Sequence, residues 1–284
     1  MTLREPPARP APESRPLLDR YLAALGLPAE PPSAAALVRL QRAHVQRFAY
    51  DSLWRVRGRI PELSGHGMVL SLVDGEGGGC HQLGFAFWWL LVALGYDAHV
   101  HRARVKLFMD DDFRAWPQHP VVTVRFGEDT WYADVGQGNG LLDPVPLAAG
   151  PILQPGGFSY ALERDDRGPS RWTFRHDPSL RGVRELQFDA VVDSSPEEFE
   201  DGFGHVVSAS ATAEGRAVIA SRRDPEGVST LTDDLLVRTE DAHRTRTRLG
   251  SAAEWEVVLR EEFRLELPGW SRAERDELWA WVTA

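Results

Sequence analysis

The one cysteine of this 284-residue chain, Cys80, stands in a position that favours thiol chemistry. It follows three glycines, Gly77–Gly79, and precedes an apolar run, Leu83–Tyr96, that predicts a buried helix. The thiol would then lie at a helix N-terminus, where unpaired N–H groups and the positive end of the helix dipole favour a thiolate. The pattern indicates a nucleophile, and a small buried hydrophobic side chain is the alternative.

A histidine and an aspartate later in the chain can complete a catalytic group. His119 precedes an alternating run, Val121–Phe126, and Asp134 ends a second run that begins at Trp131. The two runs predict a β-hairpin that turns through residues 127–130. In a Cys-His-Asp triad the imidazole takes the thiol proton, and the carboxylate fixes the tautomer and orientation of the imidazole.

The predicted hairpin leaves a gap between the histidine and the aspartate. A turn centred on Glu128 and Asp129 places His119 about four residues from the position opposite Asp134, or roughly 13 Å at the rise of a strand. A bulge or an earlier turn would close this gap. The periodicity therefore permits a triad without proving it.

Three segments of the chain resemble the signature of the arylamine N-acetyltransferase family. That signature reads RGGxCxELN, then a histidine, then DVGFG; this chain has GGGCHQL at 77–83, His119, and DVGQG at 134–138. The segment Phe48–Leu53 also stands where the family has IPFENL. The likeness covers residues 17–150, and the order and spacing of its pieces make it specific.

The resemblance implies a ping-pong acyltransferase with three catalytic residues. Cys80 would accept the acyl group, His119 would act as its base and later as an acid, and Asp134 would orient the imidazole. An acyl thioester, acetyl-CoA by default, would acylate the cysteine, and an amine, hydrazine or hydroxylamine nitrogen would then attack the acyl-enzyme. The implied partners are a small amine and an acyl thioester, including an acyl chain on a carrier protein, with no permanently bound cofactor.

Four further residues are candidates for substrate binding. Gln137 replaces the phenylalanine of DVGFG, a position that lines the pocket in the family, so an amide stands in place of an aromatic platform. Gly136 and Gly138 allow a ligand to approach the backbone closely. His81 either contacts the acyl group or its carrier, or is a partly exposed residue of the first helical turn.

Two charged positions of the family signature are changed beside Cys80. The arginine before the glycines is Glu76 here, and the glutamate after the cysteine is Gln82. These two side chains can share a hydrogen bond, whereas an unpaired carboxylate near the thiol would raise its pKa and oppose activation. The predicted reactivity of Cys80 therefore depends on where Glu76 lies.

Composition and charge limit the class of protein. A single cysteine excludes an internal disulfide, and the nine histidines show no zinc-binding spacing, so no metal is predicted. The formal net charge of -10 argues against binding to nucleic acid. The apolar run Leu83–Tyr96 is too short to span a bilayer, which needs about 20 residues, and residues 1–16 lack the apolar core of a secretory signal. We expect a cytoplasmic protein with no membrane partner.

The pattern along the chain predicts an α/β (α+β) fold in three parts. Residues 1–95 are expected to form a flexible N-terminal arm and a helical bundle, with Ser33 capping its second helix and the Cys80 helix last. Residues 96–200 contain short alternating runs and are expected to form a β-barrel that carries His119 and Asp134. Residues 201–284 are expected to form a C-terminal α/β lid. The resemblance implies this same order around a Cys-His-Asp core like that of the cysteine proteases.

The last third of the chain is predicted to mix strands with one capped helix. Ser271 and Glu274 form a capping-box pattern at the start of that helix. Its buried side chains are predicted to be Leu278, Trp279 and Trp281. The predicted strands are Val206–Thr212, Arg216–Ser221 and Trp255–Leu265.

Three classes of function remain open. The leading one is an N-acyltransferase, either a simple acetyltransferase or an amide synthase that joins a longer acyl chain to an aromatic amine, as in macrolactam closure. A hydrolase with the same Cys-His-Asp order would release free acid without an amine. A non-catalytic member of the fold would bind a ligand while its cysteine stays unreactive.

Overall fold

The computed structural model describes residues 15–56, 62–114, 119–165, 171–191, 193–209, 217–241 and 243–283. Within these ranges the chain forms a helical N-terminal part, a large antiparallel sheet and a smaller sheet flanked by C-terminal helices. This architecture confirms the predicted fold class. None of the described helices is long and apolar enough to cross a lipid bilayer.

Helices form the N-terminal part, and two of them begin at a serine cap. Ser33 accepts a hydrogen bond from the Ala36 N–H at the start of the second helix, as predicted. Ser64 accepts the Gly67 N–H at the start of the fourth. The helices are α1 (Arg15–Leu25), α2 (Ala34–Arg47), α3 (Leu53–Val56), α4 (Gly65–Val73) and α5 (Cys80–Leu94).

Helix α5 forms the centre of the first hydrophobic core. It is apolar around its circumference, which is typical of a helix that is surrounded by other elements. Phe85, Phe87, Leu90 and Leu91 are fully buried in this core. Burial of each side chain contributes about 2 kcal/mol, so the start of α5, where Cys80 lies, is held by well-packed neighbours.

The strands in the middle of the chain form an eight-stranded antiparallel sheet. They are β2 (Asp97–Leu107), β3 (His119–Phe126), β4 (Asp129–Tyr132), β5 (Val145–Pro146), β6 (Gly150–Gln154), β7 (Phe158–Asp165), β8 (Arg171–Arg175) and β9 (Val183–Asp189). Their order is β5-β4-β3-β2-β9-β8-β7-β6, and the sheet curls into a nearly closed barrel. Tyr132 packs against Phe174 and Phe188 in the second hydrophobic core, which this sheet encloses.

A second antiparallel sheet joins a strand from the N-terminal part to four from the C-terminal part. Its strands, in hydrogen-bonded order, are β1 (Tyr50–Asp51), β10 (Ile219–Arg223), β11 (Gly227–Thr232), β12 (Leu235–Glu240) and β13 (His243–Arg248). Tyr50 pairs with Ser221, and Asp51 pairs with Ala220. The N-terminal and C-terminal parts thus share one sheet. The predicted division of the chain at residues 95 and 200 stays a prediction.

One segment predicted as a strand begins in a helix. Residues 206–209 lie in α6 (Glu200–Ala209), so the strand prediction is wrong there, and residues 210–212 lie outside the described ranges. Glu200 and Asp201 occupy the first turn of α6, where negative charge stabilises a helix. Of the next predicted strand, residues 219–221 lie in β10, and residue 216 is not described.

The predicted strand Trp255–Leu265 lies mostly in a helix, α7 (Ala252–Phe263), so this prediction is also wrong. Trp255, Leu259 and Phe263 are buried at a spacing of four residues, which is the spacing of one helix face. The apolar and β-branched residues of this segment favour a strand, but the four-residue spacing of its buried side chains is typical of a helix.

The final helix, α8 (Arg272–Val282), begins at the predicted capping box. Ser271 and Glu274 each accept the backbone N–H of the other through their side chains. Leu278 is buried and Trp279 packs partly buried against the third core. Trp281 is 44% exposed, so its predicted burial is wrong. The buried residues of this helix are Leu278 and Val282, which are four residues apart on one face.

Candidate active site

Cys80 is the first residue of α5, and its side chain is partly exposed. Gly79 precedes it in an extended conformation, and the Gly79 N–H donates to the side-chain oxygen of Gln82 at 3.0 Å. Gln82 thus satisfies one of the unpaired N–H groups beside the nucleophile. Glu76 is exposed to solvent, where water screens its charge.

A buried carboxylate, Asp51, holds the glycine segment that leads to Cys80. Its Oδ2 accepts the Gly78 N–H at 2.6 Å, and its Oδ1 accepts the Leu53 N–H at 2.9 Å. Gly77 has φ +76°, and a Cβ there would lie 2.1 Å from Asp51 Oδ2, so only glycine fits. Burial raises the pKa of Asp51 to about 6, although the N–H groups that it accepts oppose this shift.

The β3–β4 hairpin turns one residue earlier than predicted. Its turn has two residues, 127 and 128, instead of four. Extending the register of the paired strands puts Asp134 opposite Val121, only two residues from His119. The earlier turn therefore closes the gap that the sequence left between the histidine and the aspartate.

His119 and Asp134 are in direct hydrogen-bond contact, with Nε2 2.8 Å from Oδ2, and both side chains are buried. Three other donors hold the carboxylate. The Tyr132 hydroxyl and the Gln137 amide each donate to Oδ2 at 2.9 Å, and the Gly136 N–H donates to Oδ1 at 2.8 Å. This set fixes the carboxylate, so it can fix the orientation of the imidazole.

Cys80 completes the constellation, because its thiol forms a hydrogen bond with His119. Since Nε2 of that ring faces Asp134, Nδ1 is the nitrogen left for the sulfur. The structure therefore brings the three predicted catalytic side chains together in the order sulfur, imidazole, carboxylate.

The electrostatics of the three groups favour an ion pair. Burial raises the pKa of Cys80, but the interactions with His81 and His119 outweigh it and hold this pKa well below the ordinary thiol value. Burial lowers the pKa of His119, but the Asp134 carboxylate and the Cys80 sulfur together outweigh it and raise this pKa. Asp134 keeps a lowered pKa because His119 and the other donors outweigh burial. Cys80 and His119 therefore favour the thiolate–imidazolium form.

Gln137, the predicted substrate-binding amide, has one half of its side chain occupied. Its Nε2 donates to Asp134, which fixes the assignment of the amide nitrogen and oxygen, since a carboxylate only accepts. Its Oε1 is buried and has no hydrogen-bond partner among the described residues. A free acceptor beside the triad suits an N–H donor on a substrate, and this contact stays a prediction.

The two predicted substrate-binding glycines lie where the backbone approaches other residues closely. A Cβ on Gly136 would lie 2.9 Å from Cε1 of His119. Gly138 has φ +70°, and a Cβ there would lie 2.5 Å from Cβ of Tyr50. Close contacts within the protein thus account for both glycines, and contact of either with a ligand stays a prediction.

His81 is buried, so the expectation of a partly exposed side chain is wrong. Its Nδ1 lies 3.4 Å from Cys80 Sγ. Its ring packs against Phe85, Phe199 and Phe203, with centroid distances between 4.9 and 6.3 Å. Its predicted contact with an acyl group or carrier is not tested by these distances.

Sequence reasoning missed two residues that position the triad, Tyr132 and Asp51. Tyr132 precedes Asp134 by two residues on an extended segment, so alternation could have placed both side chains on one face. Asp51 carried a weaker signal: it lies within the segment Phe48–Leu53 that resembles the family, but its contact with Gly78 joins two separate parts of the chain.

The chain matches a family model described as N-acetyltransferase over residues 33–271. No curated protein matches it. Solved structures with the same fold include the arylamine N-acetyltransferases of Mycobacterium abscessus and Nocardia farcinica, each with a TM-score of 0.80. Their sequence identities to this chain are 23% and 25%, and each alignment covers 94% of this chain and 95% of the other.

A third structure with this fold is the Mycobacterium marinum arylamine N-acetyltransferase in complex with CoA. It has a TM-score of 0.81 and 21% identity, and the alignment covers 93% of this chain and 98% of that one. The extent of these alignments shows that the fold is shared along almost the whole chain.

Proposed function

The chain belongs to the arylamine N-acetyltransferase family, and on this premise we propose that it transfers an acyl group from a thioester to an amine through an acyl-Cys80 intermediate. Acetyl-CoA is the default donor, because the family is one of acetyltransferases and a structure with the same fold holds CoA. The acceptor is the nitrogen of an amine, hydrazine or hydroxylamine.

The observation that carries this proposal is the hydrogen-bonded series from Cys80 through His119 to Asp134. It supports a thiolate at the N-terminus of α5, beside an imidazolium that can give up a proton. Thiolates exchange readily with thioesters. A cysteine that only fills space in a core would gain nothing from an imidazole and a carboxylate arranged in this order.

The first half-reaction acylates the cysteine. The Cys80 thiolate attacks the thioester carbonyl, and N–H groups of the first turn of α5, which have no acceptor within the helix, stabilise the oxyanion that forms. The bond to the carrier sulfur then breaks, and the His119 imidazolium gives its proton to the departing thiolate. The products are acyl-Cys80, neutral His119 and the free carrier thiol.

The second half-reaction forms the amide. The amine nitrogen attacks the carbonyl of acyl-Cys80, and His119 takes its proton as a general base. The bond from the carbonyl carbon to Sγ breaks, and its electron pair stays on the sulfur. This step restores the thiolate–imidazolium pair, and Asp134 stabilises the imidazolium as it forms.

An amide synthase that uses longer acyl thioesters, some of them on a carrier protein, is the second candidate. Gln137 favours it, because a buried amide, whose Oε1 has no hydrogen-bond partner among the described residues, offers less stacking surface to a flat arylamine than the phenylalanine that the family has there. Such an enzyme performs the same chemistry at Cys80 and differs in the donor and acceptor that it accepts.

Intact-protein mass spectrometry after incubation with acetyl-CoA, or with longer acyl thioesters, tests the proposal. We expect one acyl adduct per chain that is absent in Cys80→Ala and is lost when an arylamine is added. An adduct from longer thioesters alone would favour amide synthase. Steady release of free acid without an amine would instead identify a hydrolase, and an unreactive Cys80 with a ligand still bound would identify a non-catalytic protein.

A further inference from the structure

His81 contacts the same sulfur atom as His119. Its Nδ1 lies within hydrogen-bond distance of Cys80 Sγ, at 3.4 Å. Its other nitrogen, Nε2, is buried without a hydrogen-bond partner in the described parts of the chain. An Nδ1–H directed at the sulfur leaves Nε2 as an acceptor, and an unpaired acceptor is easier to bury than an unpaired N–H.

Aromatic packing fixes the ring of His81 in this orientation. Phe203 lies 4.9 Å and Phe199 lies 6.0 Å from it, both edge-on, and Phe85 lies 6.3 Å away. The side chain is 1% exposed, so rotation of the ring away from the sulfur would disrupt this packing. Phe203 is itself stacked on Trp54, which extends the support to α3.

We infer that His81 donates a second N–H hydrogen bond to the Cys80 sulfur, which makes the sulfur a weaker nucleophile but a better leaving group. The effect on the thiolate of the free protein stands on the contacts alone. The effect on the leaving sulfur rests on the function proposed above, because it concerns the step in which the acyl carbon separates from Sγ.

The two half-reactions respond to this donor in opposite ways. Nucleophilicity of a thiolate falls with its pKa, with a Brønsted coefficient of about 0.4–0.5. A sulfur with a lower pKa also leaves a carbonyl carbon faster. In the first half-reaction His81 therefore slows the attack of the ionised Cys80 thiolate on a thioester. In the second half-reaction it speeds the transfer of the acyl group from Cys80 to an amine.

Two other titratable side chains of the described residues face this sulfur, His119 on β3 and Tyr50 on β1. Both are unchanged in variants at position 81. A change in the pKa of Cys80 in those variants therefore measures the effect of removing the His81 N–H donor.

The test compares His81→Asn with His81→Leu, which have similar size. The asparagine amide places an N–H donor near the position of Nδ1, and leucine has none. In the leucine variant we expect the pKa for alkylation of Cys80 by iodoacetamide to rise by about one unit, since a hydrogen bond to a charged group is lost. The fully ionised thiolate should then react about threefold faster, and the asparagine variant should stay close to the wild type.

A merely structural role of His81 predicts a different result, because a displaced thiolate would react more slowly at high pH and not faster. An unchanged pKa of Cys80 in the leucine variant, or a slower fully ionised thiolate, would overturn the inference. His81→Phe, which suits the aromatic surroundings, serves as a second variant without a donor if the leucine variant is unstable.

The acyl-enzyme provides the second measurement. Isolated acyl-Cys80 of the leucine variant should transfer its acyl group to an amine severalfold more slowly than wild type, and faster transfer would contradict the leaving-group effect. Absence of any acyl adduct in wild-type protein would contradict the proposed function, while the alkylation result would still decide whether His81 acts on the thiolate.

Discussion

Asp51 and Gly78 exchange two hydrogen bonds, one through the main chain and one through the carboxylate. The Asp51 N–H donates to the Gly78 carbonyl at 2.9 Å, and the Gly78 N–H donates to the Asp51 carboxylate at 2.6 Å. Asp51 also pairs with Ala220 in the second sheet. The segment before the nucleophile is therefore fixed to a strand from the C-terminal part of the chain.

Asp51→Asn should slow acylation of Cys80. Both carboxylate oxygens accept N–H groups, from Gly78 and Leu53, and the amide NH₂ of asparagine cannot accept one. Loss of one such hydrogen bond should cost about tenfold in the acylation rate, as measured by mass spectrometry over time. The variant also removes the cost of burying a charge, so we use the rate and not the free energy of unfolding as the readout.

Asp74→Asn is a matched control for this change. Asp74 is half exposed and forms an ion pair with Arg20, so its loss should have little effect on stability or rate. Equal acylation rates in the two variants would show that Asp51 does not position Cys80.

Gly136→Ala should reduce activity by about a hundredfold, because catalysis is sensitive to displacements of about 1 Å. The added Cβ would lie 2.9 Å from His119 Cε1 and 3.1 Å from the Cys80 carbonyl oxygen. The imidazole or the start of α5 must then move. Steady-state acyl transfer measures the effect, and Gly204→Ala, where a Cβ meets nothing within 4 Å, is the control. Full activity in the Gly136 variant would show that the site tolerates this displacement.

The pH dependence of alkylation tests the ion pair directly. Because the pKa of Cys80 is lowered and that of His119 is raised, the thiolate should persist through neutral pH and disappear only in acid. In His119→Ala the hydrogen bond and the charge are lost, so the pKa of Cys80 should rise and alkylation at pH 7 should fall by at least about tenfold. His243→Ala, at an exposed position, should leave the profile unchanged. The prediction of an ion pair is wrong if Cys80 is alkylated no faster than a free thiol and if His119→Ala leaves the alkylation rate unchanged.

The sequence predicts the parts of this site that depend on neighbouring residues. The glycines and the apolar run predict a helix that begins at Cys80, and alternation predicts the hairpin between His119 and Asp134. The exact turn was not predictable, because 127–130 contains several residues that favour turns. A shift of one residue changes which side chains meet across the hairpin.

The remaining features depend on contacts between distant segments. Phe199 and Phe203 bury His81, but all eight strands of the barrel lie between them and His81 along the chain. The helical spacing of Trp255 and Leu259 was present in the sequence, but the two β-branched valines between them, at 257 and 258, suggested a strand. Local composition thus gives the wrong secondary structure for this segment, because the residues that it buries are spaced as on one face of a helix.

We predict two separable roles for Gln137, because its Nε2 donates to Asp134 and its Oε1 has no hydrogen-bond partner among the described residues. The first role affects both half-reactions through the orientation of His119. The second affects only the step in which an amine is present. Substitution by leucine removes both roles, and substitution by phenylalanine also restores an aromatic surface.

Gln137→Phe should shift the enzyme towards flat arylamines and away from acceptors with several N–H groups, such as hydrazides. The reason is that the free Oε1 can accept a substrate N–H, whereas a ring offers stacking and no acceptor. We expect the ratio of kcat/KM for an arylamine to that for a hydrazide to rise about tenfold, which corresponds to one hydrogen bond. Gln41→Leu is the control, since Gln41 is also a buried amide. Its Oε1 has no hydrogen-bond partner in the described parts of the chain, and its Nε2 donates to the Leu141 carbonyl. An unchanged ratio in Gln137→Phe, with slower acylation by every donor, would mean that Gln137 acts on Asp134 alone and that specificity is decided by other residues.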